Sequence, residues 1–404
     1  MHVLKNISIL YTCCYDGGQG DLYSINDAAV VWHEGVIKWT GKELDLPAEF
    51  NSAEVYDANG AMVIPGLVDC HTHLCFGGWR PDEFEMRIRG ESYLNIAKAG
   101  GGILSTVKKT REASVEKLYE KSAALLQKII RQGITSVECK SGYGLTLKDE
   151  IKLLKVYKLL QENFSVNVVS TFLGAHTIPP EYLNNREGYI RVLIDEIIPL
   201  VAEEKLAVFC DIFVEESAFS VDEARRILEA GKKYGLKPKL HADQLSDGGG
   251  AELAAELDAV SADHLEHVSE KGLQKMAEKG VIGVTLPLAS LYTQQPYTNC
   301  RQMVDAGVKV AVATDFNPGS APCYHLPLAM MLACNHGRLT PSEALKGATI
   351  YAAKAIGLEK KAGSIEAGKQ ADFVLIDTAD VNFWMYHFGG SSVRGVFVKG
   401  KQIH

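Results

Sequence analysis

The segment Gly66-Leu67-Val68-Asp69-Cys70-His71-Thr72-His73-Leu74 sets two histidines one residue apart, directly after an apolar run over 61–68. That run is short, branched and punctuated by Pro65 and Gly66, the composition of a buried strand. Residues i and i+2 of a strand point to the same side, so His71 and His73 can aim two imidazoles at one point. Such a pair also arises by chance, so a metal site needs further ligands from elsewhere in the chain.

Other apolar stretches end in suitable residues. His176 follows 167–173, Glu215 and Glu216 follow 207–213, His241 closes 237–241, His264 lies in 259–265 and Asp315 follows 309–314. Five of the twelve histidines thus fall at the ends of strand-like runs. Taken singly, each has a plainer role: a hydrogen-bonded rim histidine, a turn cap at Asp315, solvent or a neighbouring lysine for Glu215 and Glu216. Together, His71, His73, His241 and Asp315 make a three-nitrogen, one-oxygen set that suits zinc and also accepts iron or manganese. A cation so held lowers the pKa of bound water to about 7 and polarises a carbonyl. Asp315 can hydrogen-bond that water and relay its proton, and His264 can act as base or steady the attacking hydroxide. The expected chemistry is hydrolysis at an sp² carbon. The triple glycines at 100–102 and 248–250 lack the Lys-Ser/Thr ending of a phosphate cradle and read as pliable loops.

These residues need a scaffold that gathers strand ends on one rim. Strands are predicted over 61–69, 134–140, 167–173, 207–213, 237–241, 259–265, 281–286 and 309–314, with amphipathic helices between them. Ser220 with Glu223, and Thr340 with Glu343, are capping boxes that open two of those helices; Ala224, Ile227, Leu228 and Tyr234 share a face of the first. Eight strands alternating with helices predict an α/β fold, a (β/α)₈ barrel, whose chemistry sits at the C-terminal ends of the strands. The chain's ends read differently. Glu34-Gly35 and Lys399-Gly400 are hairpin turns between short strands, so a small β-sandwich is expected from both termini. The expected division is a composite β domain of 1–64 and 362–404 around a barrel of 65–361.

The 404 residues, 47% of them hydrophobic and 23% charged, are an ordinary globular composition. A formal net charge of −8 disfavours a nucleic-acid or anionic-membrane partner. Nine cysteines without a C-x-x-C pair read as reduced small hydrophobes, as in a cytoplasmic protein. The N-terminal stretch lacks a basic start, and no segment runs to about 18 uninterrupted apolar residues, so neither a leader nor a membrane span is expected.

The stretches PGLVDCHTHL, KSGYGL, GAHTIPPEY, LHADQLSDGGG, TDFNPGS and GSIEAGKQADFVLID together resemble the imidazolonepropionase family of the amidohydrolase superfamily, over nearly the whole length. The resemblance implies water attack on the carbonyl of 4-imidazolone-5-propanoate, opening the ring to N-formimidoyl-L-glutamate. It implies a single zinc or iron ion on His71, His73, His241 and Asp315, and substrate contacts from Arg80, Tyr93, Tyr143, His176, Gln244, Asn317, Gly319 and Ser320. Gln244 stands where some relatives carry a carboxylate, and an amide is no base, so proton transfer falls to His264 and Asp315. No lysine stands at the third or fourth strand exit in a context that would bridge a second metal. A homodimer is the expected assembly. The competing readings are a deaminase or other ring hydrolase of the superfamily, from which Arg80 and the Tyr143 loop argue for an anionic substrate, and a barrel without catalysis, which predicts missing ligands.

Overall fold

Pro65 and Gly66 divide the apolar run at 61–68 between two sheets. A computed structural model of the chain describes residues 1–91 and 101–404. From the N-terminal end come β1 (His2–Tyr11), β2 (Ser24–His33), β3 (Val36–Lys42), β4 (Glu54–Asp57) and β5 (Met62–Pro65). The barrel follows, as β6 (Leu67–Asp69), β7 (Ile134–Lys140), β8 (Asn167–Ala175), β9 (Phe209–Val214), β10 (Lys237–Ala242), β11 (Ser261–His264), β12 (Ile282–Thr285) and β13 (Val310–Val312). The C-terminal strands β14 (Phe373–Ile376), β15 (Val393–Val398) and β16 (Lys401–Gln402) return to the first sheet.

That first sheet is mixed, with β14 lying antiparallel to β5 and β5 parallel to β1. It curls until Trp32 of β2 meets Phe373 of β14 and Phe397 of β15, with ring centroids 5.3 and 6.0 Å apart. Trp32 Nε1 then donates to the Gly400 carbonyl at 3.1 Å, closing a small apolar core inside the curl of this one mixed sheet. Both expected hairpin turns form: Glu34 and Gly35 have φ of 50° and 77°, Lys399 and Gly400 of 47° and 73°, the left-handed pair that matches strand twist. Where the chain crosses between the sheets, Gly66 is needed for space: a Cβ there would sit 2.1 Å from Thr135 Oγ1.

The eight barrel strands are parallel and in chain order, β6 to β13. Their seam is closed just past β6 and β13, where the strands have ended. Asp69 accepts from the Thr314 N–H at 3.1 Å and its hydroxyl at 2.6 Å; Asp315 N–H donates to His71 O, and His73 N–H to Phe316 O. The seam that shuts the barrel therefore also fixes the backbone of His71, His73 and Asp315.

Both capping boxes are present, and Ala224, Ile227 and Leu228 are buried on one helix face. Tyr234 leaves that face: it caps the helix just before Gly235, whose φ is +85°, and is 45% exposed. Among the described residues, no helix is long and apolar enough to cross a membrane.

Candidate active site

His71 and His73 leave β6 as an extended pair. Thr72, pointing the other way, donates its hydroxyl to the Glu138 carbonyl at 2.6 Å, and the Lys140 N–H returns a bond to Thr72 O at 2.8 Å. His241 sits inside β10, His264 ends β11 and Asp315 follows β13. All five side chains are buried. The ring centroids of His71 and His241 are 4.6 Å apart, those of His71 and His73 5.4 Å, and those of His241 and His264 5.4 Å. Asp315 Oδ1 lies 3.5 Å from His71 Nε2 and 3.6 Å from His73 Nε2. Among the described residues, three sets of potential ligand atoms lie within 4.8 Å of one another, His71–His73–Asp315, His71–His241–His264 and, beneath them, His71–Glu138–Asp263, all sharing His71. His264 and Asp315 hold φ of +82° and +54°, conformations that cost energy in ordinary residues and cluster at functional sites.

The imidazoles are oriented from below. His71 Nδ1 faces Asp263 Oδ2 at 2.6 Å and His241 Nδ1 faces Asp211 at 3.2 Å. Opposite a carboxylate, Nδ1 carries the proton and Nε2 presents its lone pair to the site. Among the described residues, neither Nε2 has a hydrogen-bond partner, although both are buried. Burial, with Lys140 and the other imidazoles nearby, depresses the pKa of His71, His73 and His241 far below the usual value, keeping them neutral. Neutral, buried imidazoles with unpartnered lone pairs beside a carboxylate fit a metal cation. His264 behaves differently. Burial opposes its charge, but the Glu266, Asp315 and Asp263 carboxylates outweigh that and raise its pKa. Burial pushes the Asp315 carboxyl up to about 6.

Above this cluster opens a cavity of about 680 Å³, lined by His73, His241, His264 and Asp315. Arg80, Tyr143, His176, Gln244, Asn317, Gly319 and Ser320 also line it. Arg80 packs on Gly319 so closely that a Cβ there would lie 1.3 Å from its Nη2. Asn317 Oδ1 accepts from the N–H groups of Gly319 and Ser320, and Ser320 Oγ donates to Asp315 Oδ2 at 3.3 Å, so one tight loop links the Arg80 guanidinium to Asp315. His176 Nδ1 lies 3.0 Å from Gly142 O, and burial lowers its pKa to about 4, so the ring is neutral with Nε2 as acceptor. Tyr93 lies outside the described residues.

Residues 62–403 match the amidohydrolase family model. An imidazolonepropionase of Geobacillus thermodenitrificans is 50% identical over 387 residues, covering 95% of this chain and 91% of the relative. One from Clostridium tetani is 44% identical over 409 residues, covering 100% and 98%. The chain belongs to the amidohydrolase family, among the imidazolonepropionases. Solved amidohydrolase-like structures share the fold at low identity. A guanine deaminase from C. acetobutylicum with bound guanine superposes with a TM-score of 0.76 at 16% identity, covering 100% of both chains. An adenosine deaminase from Xanthomonas campestris with bound zinc gives 0.75 at 18%, covering 99% of this chain and 92% of that one.

Within this amidohydrolase barrel several side chains depart from the reading of the sequence. Glu215 is buried, accepting from the Leu245 N–H at 2.9 Å and from the Ser246 hydroxyl, and so braces the loop that carries Gln244; Glu216 is exposed. The 248–250 loop is clamped, since Asp243 accepts from the N–H groups of Gly248, Gly250 and Ala251. Sequence reasoning missed the buried charges Glu138, Lys140, Asp211, Lys239 and Asp263, and missed Arg87, Thr177 and Phe213 in the cavity wall. A signal was there: Glu138 and Lys140, or Lys239 and His241, stand two apart in strands that, buried on both faces, should be apolar throughout.

Proposed function

We propose that the chain hydrolyses 4-imidazolone-5-propanoate to N-formimidoyl-L-glutamate at a single zinc or iron ion held by His71, His73, His241 and Asp315. The observation that carries the reading is one cavity wall that holds neutral imidazoles and Asp315 together with the Arg80 guanidinium, linked through the Asn317–Ser320 loop. A small heterocycle with a reactive amide and an anionic tail matches that wall.

Such an ion, when bound, makes water nucleophilic near neutral pH and polarises the ring carbonyl. Asp315 takes the proton of the attacking water and returns it to the ring nitrogen as the carbonyl C–N bond breaks. His264, kept basic by Glu266, steadies the oxygen that attacks. Arg80 binds the propanoate with a charge-assisted pair. Burial raises the Tyr143 phenol's pKa, so it remains a hydroxyl donor for the same tail. His176 Nε2 accepts from the ring N–H, and the Gln244 amide donates or accepts at the opposite edge. Asn317, Gly319 and Ser320 shape the loop beneath it.

The test is metal content of the purified protein together with loss of the substrate's ultraviolet absorbance. About one ion per chain with ring opening is expected; metal without turnover moves the substrate to another heterocycle, and the absence of both metal and turnover overturns the catalytic reading. Asp263→Asn, which weakens the partner of His71 Nδ1, is expected to lower metal affinity about 10–100-fold. Chelator competition on the wild type and the variant measures this, and equal affinities would remove Asp263 from the site's support.

A further inference from the structure

Arg87 is a cavity-lining cation with no role in the reading so far. It stands seven residues, two helical turns, beyond Arg80, at the far end of the helix Pro81–Ile88. Both guanidiniums turn to the same backbone: Arg80 fills the space beside Gly319, and Arg87 Nη2 donates to Gly319 O at 3.3 Å. Glu83, buried between them, lies 3.6 Å from Arg80 Nη1 and 3.7 Å from Arg87 Nη2. Its other oxygen accepts from the Gly102 N–H at 2.8 Å. Tyr292 lies under the Arg87 guanidinium, 5.4 Å from ring centroid to Cζ.

Among the described residues, two guanidiniums thus share one carboxylate, which leaves a positive charge facing the cavity. Arg80 Nε is buried with no hydrogen-bond partner among the described residues, and the Arg80 side chain is only 9% exposed. Apart from these two arginines, the only formally charged side chain in the described wall, histidines aside, is Asp315. A carboxylate seated between Arg80 and Arg87 would complete the charge balance, and three fixed contacts already hold Arg87 where it can take part.

We infer that Arg87 is a second carboxylate-binding arm that sets the preference for an anionic tail, with Glu83 positioning both guanidiniums. This rests on the ring-opening reading above. The substrate is held by two cations at the end remote from the reacting carbonyl, so Arg87 acts on binding more than on the chemical step.

The experiment compares 4-imidazolone-5-propanoate with its uncharged propanamide counterpart on the wild type, Arg87→Met and Arg87→Lys. The ratio of kcat/KM for the acid to that for the amide is measured on one sample, so it does not depend on the folded fraction. The wild type is expected to favour the acid. Arg87→Met should shrink that preference about tenfold or more, chiefly through KM, and Arg87→Lys should recover part of it by keeping the charge without the fork. A preference in Arg87→Met within about twofold of the wild type would overturn the inference, since a purely structural arginine lowers both substrates alike. A wild type that opens neither ring would instead overturn the ring-opening reading, and this inference with it.

Discussion

Asp315→Asn is expected to slow ring opening by about 10²–10⁴-fold, the loss that follows when a positioned acid–base group is removed. Asparagine is the informative replacement because it keeps the shape. Asp315 is held by its backbone, through its N–H to His71 O, and by a left-handed φ of +54° that asparagine adopts more readily than most residues. Its Oδ1 would still face the Nε2 atoms of His71 and His73, 3.5 and 3.6 Å away in the wild type. What the amide cannot do is accept the proton of the attacking water. Part of the metal should therefore stay while turnover falls, whereas Asp315→Ala should lose both. His264→Asn should keep the metal and lose rate, because in the proposed set it is no ligand. Metal per chain and kcat/KM, measured on the same preparations, separate the three. An Asp315→Asn enzyme with more than about a tenth of wild-type kcat/KM would exclude Asp315 as the proton carrier.

The parts of this site legible in the sequence are those whose position follows from strand alternation alone. His71, His73, His241, His264 and Asp315 lie at the ends of short apolar runs, and a barrel brings such ends to one rim. The first strand was harder to read. A continuous apolar run at 61–68 looks like one element, and only the tertiary partners show that Met62–Pro65 pairs with β14 while Leu67–Asp69 pairs with β7. The orienting carboxylates were hidden for another reason. His71 and Asp263 are 192 residues apart, Lys140 and Asp211 71 apart, and no local pattern announces a pair that meets only across a closed barrel. Arg87 was concealed by its setting, since a basic residue in the last turn of a charged helix reads as a solvated side chain complementing the dipole. The 248–250 glycines suggested freedom, yet Asp243 uses their bare N–H groups as a clamp.

Lys140→Met is expected to destabilise the protein by about 3–5 kcal/mol, the range for breaking a buried ion pair by removing one partner. The side chain is fully buried at the end of β7. Its Nζ lies 2.7 Å from Asp211, 3.1 Å from Glu138 and 3.4 Å from Asp263. Among the described residues, Lys239 is the only other ammonium in this group, 2.9 Å from Glu138 and 3.9 Å from Asp263. Two ammoniums against three carboxylates leave one negative charge beneath the imidazoles, and Asp315 above adds a second, a balance that a divalent cation neutralises. Without Lys140 the imbalance grows by one charge in a region from which water is excluded, where an unpaired carboxylate is costly. Methionine fills the space of the stem, so the loss reports charge more than packing. Adding Glu138→Gln to the same chain removes one of the stranded carboxylates. The double variant should therefore regain part of the stability, a coupling that a mere packing defect would not produce. Denaturant midpoints of the wild type, both single variants and the double variant measure it, with Lys233→Met as an external control. A Lys140→Met midpoint matching that control would mean the carboxylates do not need the lysine. The same cycle bears on the metal site, because Asp211 and Asp263 hold His241 and His71 by their Nδ1 atoms. If Lys140 fixes the charge of those two carboxylates, metal affinity should fall with stability in the single variant and rise with it in the double.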